Sequence, residues 1–97
     1  MKLAYSRRAL ADLDRIATYY ASTASPAIAE AIGLRLASVI DRISRAPEAA
    51  PRVSQRSQVR VAAVVRCPFR IFYRLRDDTI DILHIRHTSR QPLNDGD

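Results

Sequence analysis

The apolar residues of this 97-residue chain change their spacing once, and that change sets the fold class. Up to Ile43 they recur three and four positions apart. From Val59 they recur every second position. The first spacing belongs to helices buried on one side, the second to strands. Leu10, Leu13, Ile16, Ala17 and Tyr20 mark one helix over residues 7–22, with Ser6 as its N-cap and Arg8, Asp12 and Arg15 falling between the apolar positions. Ser22, Thr23 and Ser25 interrupt it. Ser25-Pro26 then restarts a helix, a capping serine followed by a proline in the first helical position. Ile28, Ile32, Leu36, Val39, Ile40 and Ile43 carry it to Arg45, ahead of Pro47. Two helices joined by so short a link form an antiparallel hairpin.

The strands are as legible. Lys2–Tyr5 is a short first strand, and Pro47–Gln58 reads as a loop. VRVAAVVR, Val59–Arg66, is a strand broken by Cys67-Pro68. FRIFYRLR, Phe69–Arg76, alternates Phe69, Ile71, Tyr73 and Leu75 with Arg70, Phe72, Arg74 and Arg76. Asp77-Asp78 is a hairpin turn. Thr79–His87 is apolar on both faces in its middle, which places it inside the sheet. A polar tail follows from residue 88. The order is β-α-α-β-β-β, an α+β domain spanning residues 1–97. Its N-terminal helical hairpin packs on one face of a small, mainly antiparallel sheet and leaves the other face open.

Charge narrows the function. The formal net charge is +6, and Lys2 is the only lysine among sixteen cationic residues. No acid occurs from Ala49 to Arg76, a stretch holding Arg52, Arg56, Arg60, Arg66, Arg70, Arg74 and Arg76. Guanidinium groups fork onto carboxylates and phosphates, so the arginine-rich face suits nucleic acid or an acidic protein partner. With two glycines there is no phosphate-cradling loop and no nucleophile elbow. The single Cys67 makes no internal disulfide and fits a reducing compartment. No apolar run is long enough for a membrane helix, and arginines interrupt the start before a signal peptide forms. The expected location is the cytoplasm, away from membranes.

ILHIRHTSRQP, Ile82–Pro92, places two histidines beside two arginines. His84 and His87 are an odd number of positions apart and so lie on opposite faces of a strand, which does not suit a shared metal ion. Neither a metal nor a cofactor is expected. His84 shares the parity of Ile80 and Ile82 and is expected to pack with them. His87, at the strand end, is the better acid–base candidate. Arg70, Arg74, Arg86 and Arg90 are the cations that could stabilise the phosphorane when a phosphodiester is cut through its 2′-hydroxyl, and Arg70, His87 and Arg90 are the trio expected of a nuclease site. Read for contact instead, the candidate surface is Arg60, Arg66, Arg70, Phe72, Arg74, Arg76, Arg86, His87 and Arg90.

PFRIFYRLRDDTIDILHIRHTSRQP, together with the element order and length, resembles the RelE/ParE superfamily of toxins from bacterial type II toxin–antitoxin systems. The most specific part is Phe69–Arg90: an aromatic-Arg-aliphatic-x-Tyr strand, an acidic turn, and an apolar strand ending in Arg-His-x-x-Arg. The resemblance implies one of two activities, cleavage of mRNA on the ribosome or inhibition of DNA gyrase. Arg70 matches the arginine that supports the phosphate in RelE-like nucleases, and Arg90 falls near their later arginine. The chain has neither a lysine pair before the strands nor a tyrosine in its tail, and ILHIRHTSRQP is similar to ParE-type members. The expectation is therefore a ParE-like gyrase inhibitor rather than an enzyme. The resemblance also implies a cognate antitoxin whose C-terminal segment wraps the toxin, with a toxin–antitoxin heterotetramer as one assembly. The alternatives are a RelE-like endoribonuclease and a non-toxic basic nucleic-acid-binding module.

Overall fold

The computed structural model describes residues 2–54 and 56–88. β1 is Lys2–Tyr5, α1 Arg7–Thr23, α2 Pro26–Arg45, β2 Arg52–Val53, β3 Arg56–Ala63, β4 Phe69–Arg76 and β5 Thr79–His87. The strands form one sheet in the order β1-β5-β4-β3-β2. β1 runs parallel to β5, and every other pairing is antiparallel. The α+β class, the helical hairpin and the interior place of β5 agree with the sequence expectation. So do the bounds of α2, β4 and β5.

Two serines start the helices. The Ser6 hydroxyl accepts the Ala9 N–H at 2.9 Å, and the Ser25 hydroxyl accepts the Ile28 N–H at 3.1 Å. Leu36, Val39, Ile40 and Ile43 of α2 pack with Phe69, Ile71, Tyr73, Ile80, Ile82 and Ile85 of the sheet. Ile71, Ile80 and Ile82 are wholly buried, each contributing about 1.5–3 kcal/mol through burial. The Tyr73 ring is buried too, and its hydroxyl donates to the Pro47 carbonyl at 2.6 Å. Burial pushes the Tyr73 pKa up, against the opposing influence of Arg60.

Three local expectations are corrected. β3 starts and ends three residues earlier than its alternation indicated. Its start is extended by β2, which folds back to pair Arg52 with Arg60 and Val53 with Arg56, inside the stretch expected to be loop. Its end is set by a turn in which Cys67 N–H donates to the Val64 carbonyl and Arg66 takes φ 61°, a left-handed value that no strand accommodates. On α1 Leu13, Ile16 and Tyr20 pack against the core as expected, but Leu10 is exposed and Asp12 is buried at 3% exposure. The third correction lies in β5. Phe72 pairs with His84 but Tyr73 pairs with Ile82, so Leu83 is an extra residue, a β-bulge. The bulge reverses parity. Ile80, Ile82 and Ile85 face the core, and His84 faces away from it.

Candidate functional site

Residues directly opposite in an antiparallel pair share a face. On the helix-free face, Arg70 stands opposite Arg86, Phe72 opposite His84, Arg74 opposite Asp81 and Arg76 opposite Thr79. The Phe72 and His84 rings stack at 4.4 Å and 7°, and the Arg86 guanidinium lies 6.0 Å from the centre of the Phe72 ring. His84 is thus a partner of Phe72 on the arginine face, not a packing partner of Ile80 and Ile82. The parity rule that separated it from His87 holds, because the bulge precedes both. Arg70 and Arg86 bring two like charges directly across the sheet on this face.

The face is less uniformly cationic than the acid-free stretch suggested. Asp81 enters from β5 and accepts from Arg76 Nε at 2.8 Å and Arg74 Nε at 3.3 Å. The hydrogen bonds from Arg76, then those from Arg74, hold the Asp81 carboxyl below the ordinary carboxylate range despite burial. Sequence reasoning missed Asp81. Its place in TIDIL, flanked by isoleucines, was the available signal. The remaining cations scatter. Arg60 lies opposite Tyr73, on the helix side, and donates to the Ala50 carbonyl at 2.7 Å and the Glu48 carbonyl at 3.0 Å. Arg66 occupies the β3–β4 turn and is exposed. Arg90 lies outside the described residues.

His87 stands opposite Phe69 on the helix side, its ring meeting that of Phe69 edge-on at 5.2 Å. The fold therefore separates the trio that phosphodiester cleavage would use: Arg70 and His87 are on opposite faces of the sheet. Among the described residues no group of three or more His, Cys, Asp or Glu is arranged to hold a metal ion. No helix among them is long and apolar enough to cross a membrane.

Beside His87 a groove of about 790 Å³ runs between α1 and the end of β5, lined by Ile16, Tyr19, Tyr20, Phe69, Ile85 and His87 with Arg8, Arg15 and Arg86 at its rim. Its rings meet edge-on in sequence, Tyr19 on Tyr20 at 5.0 Å and Tyr20 on Phe69 at 6.2 Å. Asp12 fixes the groove's wall. Its carboxylate accepts the Ile85 N–H at 2.9 Å and pairs with Arg15. Past Tyr5, where β1 stops, Ser6 N–H donates to the Ile82 carbonyl and the Ser6 hydroxyl to the Leu83 carbonyl. The side chains of α1 and its cap thus take over the edge of β5 from β1.

The family model for the ParE toxin of the parDE type II toxin–antitoxin system matches residues 3–92. The chain belongs to the ParE toxin family. A solved structure of the chromosomal ParDE toxin–antitoxin system from P. aeruginosa superposes with a TM-score of 0.82 and 28% identity, covering 92% of this chain and 97% of that one. The isolated E. coli RelE toxin superposes with a TM-score of 0.64 and 13% identity over 98% of this chain and 92% of its own, a likeness of fold alone. No curated protein matches the chain. ParE membership and the RelE-like fold agree with the resemblance read from Phe69–Arg90.

Proposed function

We propose that this ParE-family toxin arrests growth by inhibiting DNA gyrase in the cytoplasm, and that a cognate antitoxin neutralises it by wrapping its C-terminal segment around the toxin, in a heterotetramer or a simpler complex. The observation that carries this reading over nuclease chemistry is the placement of Arg70 and His87 on opposite faces of the sheet. An acid or base must lie within hydrogen-bond reach of the proton it moves; of the two imidazoles, His87 is separated from Arg70 by the sheet, and His84, on the arginine face, is stacked flat on Phe72. What the protein does offer is contact: paired arginines and a ring stack on one face, an aromatic groove on the other. Arg70, Phe72, Arg74, Arg76 and Arg86 serve target or antitoxin through their shared face, and His87 through the groove.

Induced expression in bacteria tests the reading. Filamentation and a DNA-damage response with intact mRNA are the expected outcome, together with rescue by an antitoxin encoded in the adjacent reading frame. Rapid mRNA cleavage at ribosomal A sites would overturn it in favour of the endoribonuclease. Growth unaffected by expression would favour a non-toxic nucleic-acid-binding module.

A further inference from the structure

We infer that the open face of the sheet is a seat for a short, extended single strand of nucleic acid, with its phosphates on Arg70, Arg74 and Arg76 and a base on the Phe72–His84 pair. This rests on the reading of that face as a contact surface and names the chemistry it contacts. Cations and ring are laid out in order along β4. Arg70, Phe72, Arg74 and Arg76 occupy alternate positions of the strand, which strand geometry sets about 6.6 Å apart. Lys2 joins the Arg76 end, because it pairs with Thr79, which stands opposite Arg76. A ring pair thus lies between two groups of cations, as a base lies between successive phosphates.

Asp81 prepares the Arg74–Arg76 end for an anion. Its carboxylate accepts from Nε of Arg74 and from Nε and one Nη of Arg76. An arginine carries five N–H donors, so most donors of both side chains remain, and they meet no acceptor among the described residues. The two side chains are 41% and 60% exposed. Guanidinium groups already held through Nε present their other donors to a phosphate with less ordering left to do on binding. One carboxylate against two arginines and Lys2 leaves this end cationic. Arg70, exposed at the other end, supplies the second phosphate contact.

The ring pair favours a single strand over a duplex or an acidic peptide. Phe72 and His84 stack nearly parallel and are both half-buried. A base continues such a stack whatever its identity, since every base has a π-face. In a duplex those faces are taken by neighbouring bases. Successive phosphates of one duplex strand also advance only about 3.4 Å along the axis, well short of the cation spacing on β4, whereas a strand with unstacked bases is drawn out. An acidic peptide would satisfy the arginines but has no use for stacked rings, and the combination of cations and aromatic faces is the one that single-strand sites use. The strand is bound and not cut, because His87 lies on the far side of the sheet.

The test is fluorescence anisotropy of the full chain with a labelled single strand of about ten thymidines, read across salt concentrations. Each phosphate contact contributes about 0.7 to the fall of log affinity with log salt, so three arginines give a slope of about −2, and Arg70→Ala should make it shallower by about 0.7. Phe72→Leu keeps bulk but loses the ring face. It should weaken binding at least about fivefold with an unchanged salt slope, while Leu34→Ala, on α2 and 66% exposed, changes affinity less than about twofold. Near-ultraviolet circular dichroism checks that Phe72→Leu is folded, and Arg70→Ala, at an exposed position, tests the seat without it. Duplex bound as tightly as the single strand, or affinity indifferent to Phe72→Leu, overturns the seat in favour of plain charge attraction. Polyglutamate bound more tightly than the strand reassigns the face to an acidic peptide. A uridine RNA strand run alongside names the source: equal binding, or a preference for either sugar, supports the seat. Absence of any binding overturns this inference alone, since growth arrest on expression judges the toxin reading without an oligonucleotide.

Discussion

Asp12 and Asp81 are both buried and both pair with arginine, yet they stand on opposite sides of the sheet. Helical spacing put Asp12 on the solvent side of α1, yet it is buried because the Ile85 N–H needs an acceptor where β1 has already ended. That need is three-dimensional, and no local pattern in the sequence records it. Asp81 alternates correctly with Ile80 and Ile82, but its role depends on Arg74 and Arg76 standing next to it across a hairpin. The two arginines lower its folded-state pKa. A lowered pKa contributes stability above the unfolded value, about 3.9, that is lost as pH falls through the folded one. Asp81→Asn should therefore reduce stability at pH 7 and flatten the loss below about pH 4. Urea midpoints at pH 7 and pH 3 measure both, and an unchanged acid slope would assign the acid sensitivity elsewhere.

Among the elements, β5 departs furthest from its sequence pattern. Its span was legible, as were those of β4 and α2, because the apolar run of β5 and the periods of β4 and α2 are each bounded by a turn, a proline or a polar stretch. The bulge was not, since a run apolar on both faces hides an extra residue: Leu83 fits the pattern whether or not it is skipped. The consequence falls on His84. Strict alternation would bury it beside Ile82, whereas the bulge turns it to the stack with Phe72. Deleting Leu83 would remove the bulge and keep the faces, because His84 would then follow Ile82 directly and the Phe72–His84 and Tyr73–Ile82 pairs would become consecutive. The expected cost is about 0.5–1.5 kcal/mol, the scale of the hydrogen bond that the Ser6 hydroxyl gives to the Leu83 carbonyl. Thermal melting would report it, with the native near-ultraviolet circular dichroism retained. Loss of that spectrum would show that the core depends on the bulge itself.

Across the molecule, cations consecutive in sequence are distributed by the sheet over both faces and a turn. The acid-free stretch correctly signalled an arginine-rich surface. It overstated its size, because alternation sends Arg60 to the helix side and Asp81 arrives from a different strand. What remains on the open face includes Arg70 and Arg74, and replacing both with alanine should weaken antitoxin binding, with the larger loss at low salt, where exposed charges are least screened. Titrations at two ionic strengths decide this, and an unchanged affinity would remove the open face from the interface. The pairing of β1 with β5 carries a different consequence, one of timing. Lys2 pairs with Thr79 and Tyr5 with Ile82, so the first strand made must wait for almost the last. At about 5–20 residues per second of synthesis, that wait is roughly 4–15 s, during which Leu3 and Tyr5 have no sheet to join. The sheet cannot close on a nascent chain until Ile82 has been added, so a ribosome partway through the message holds no finished toxin.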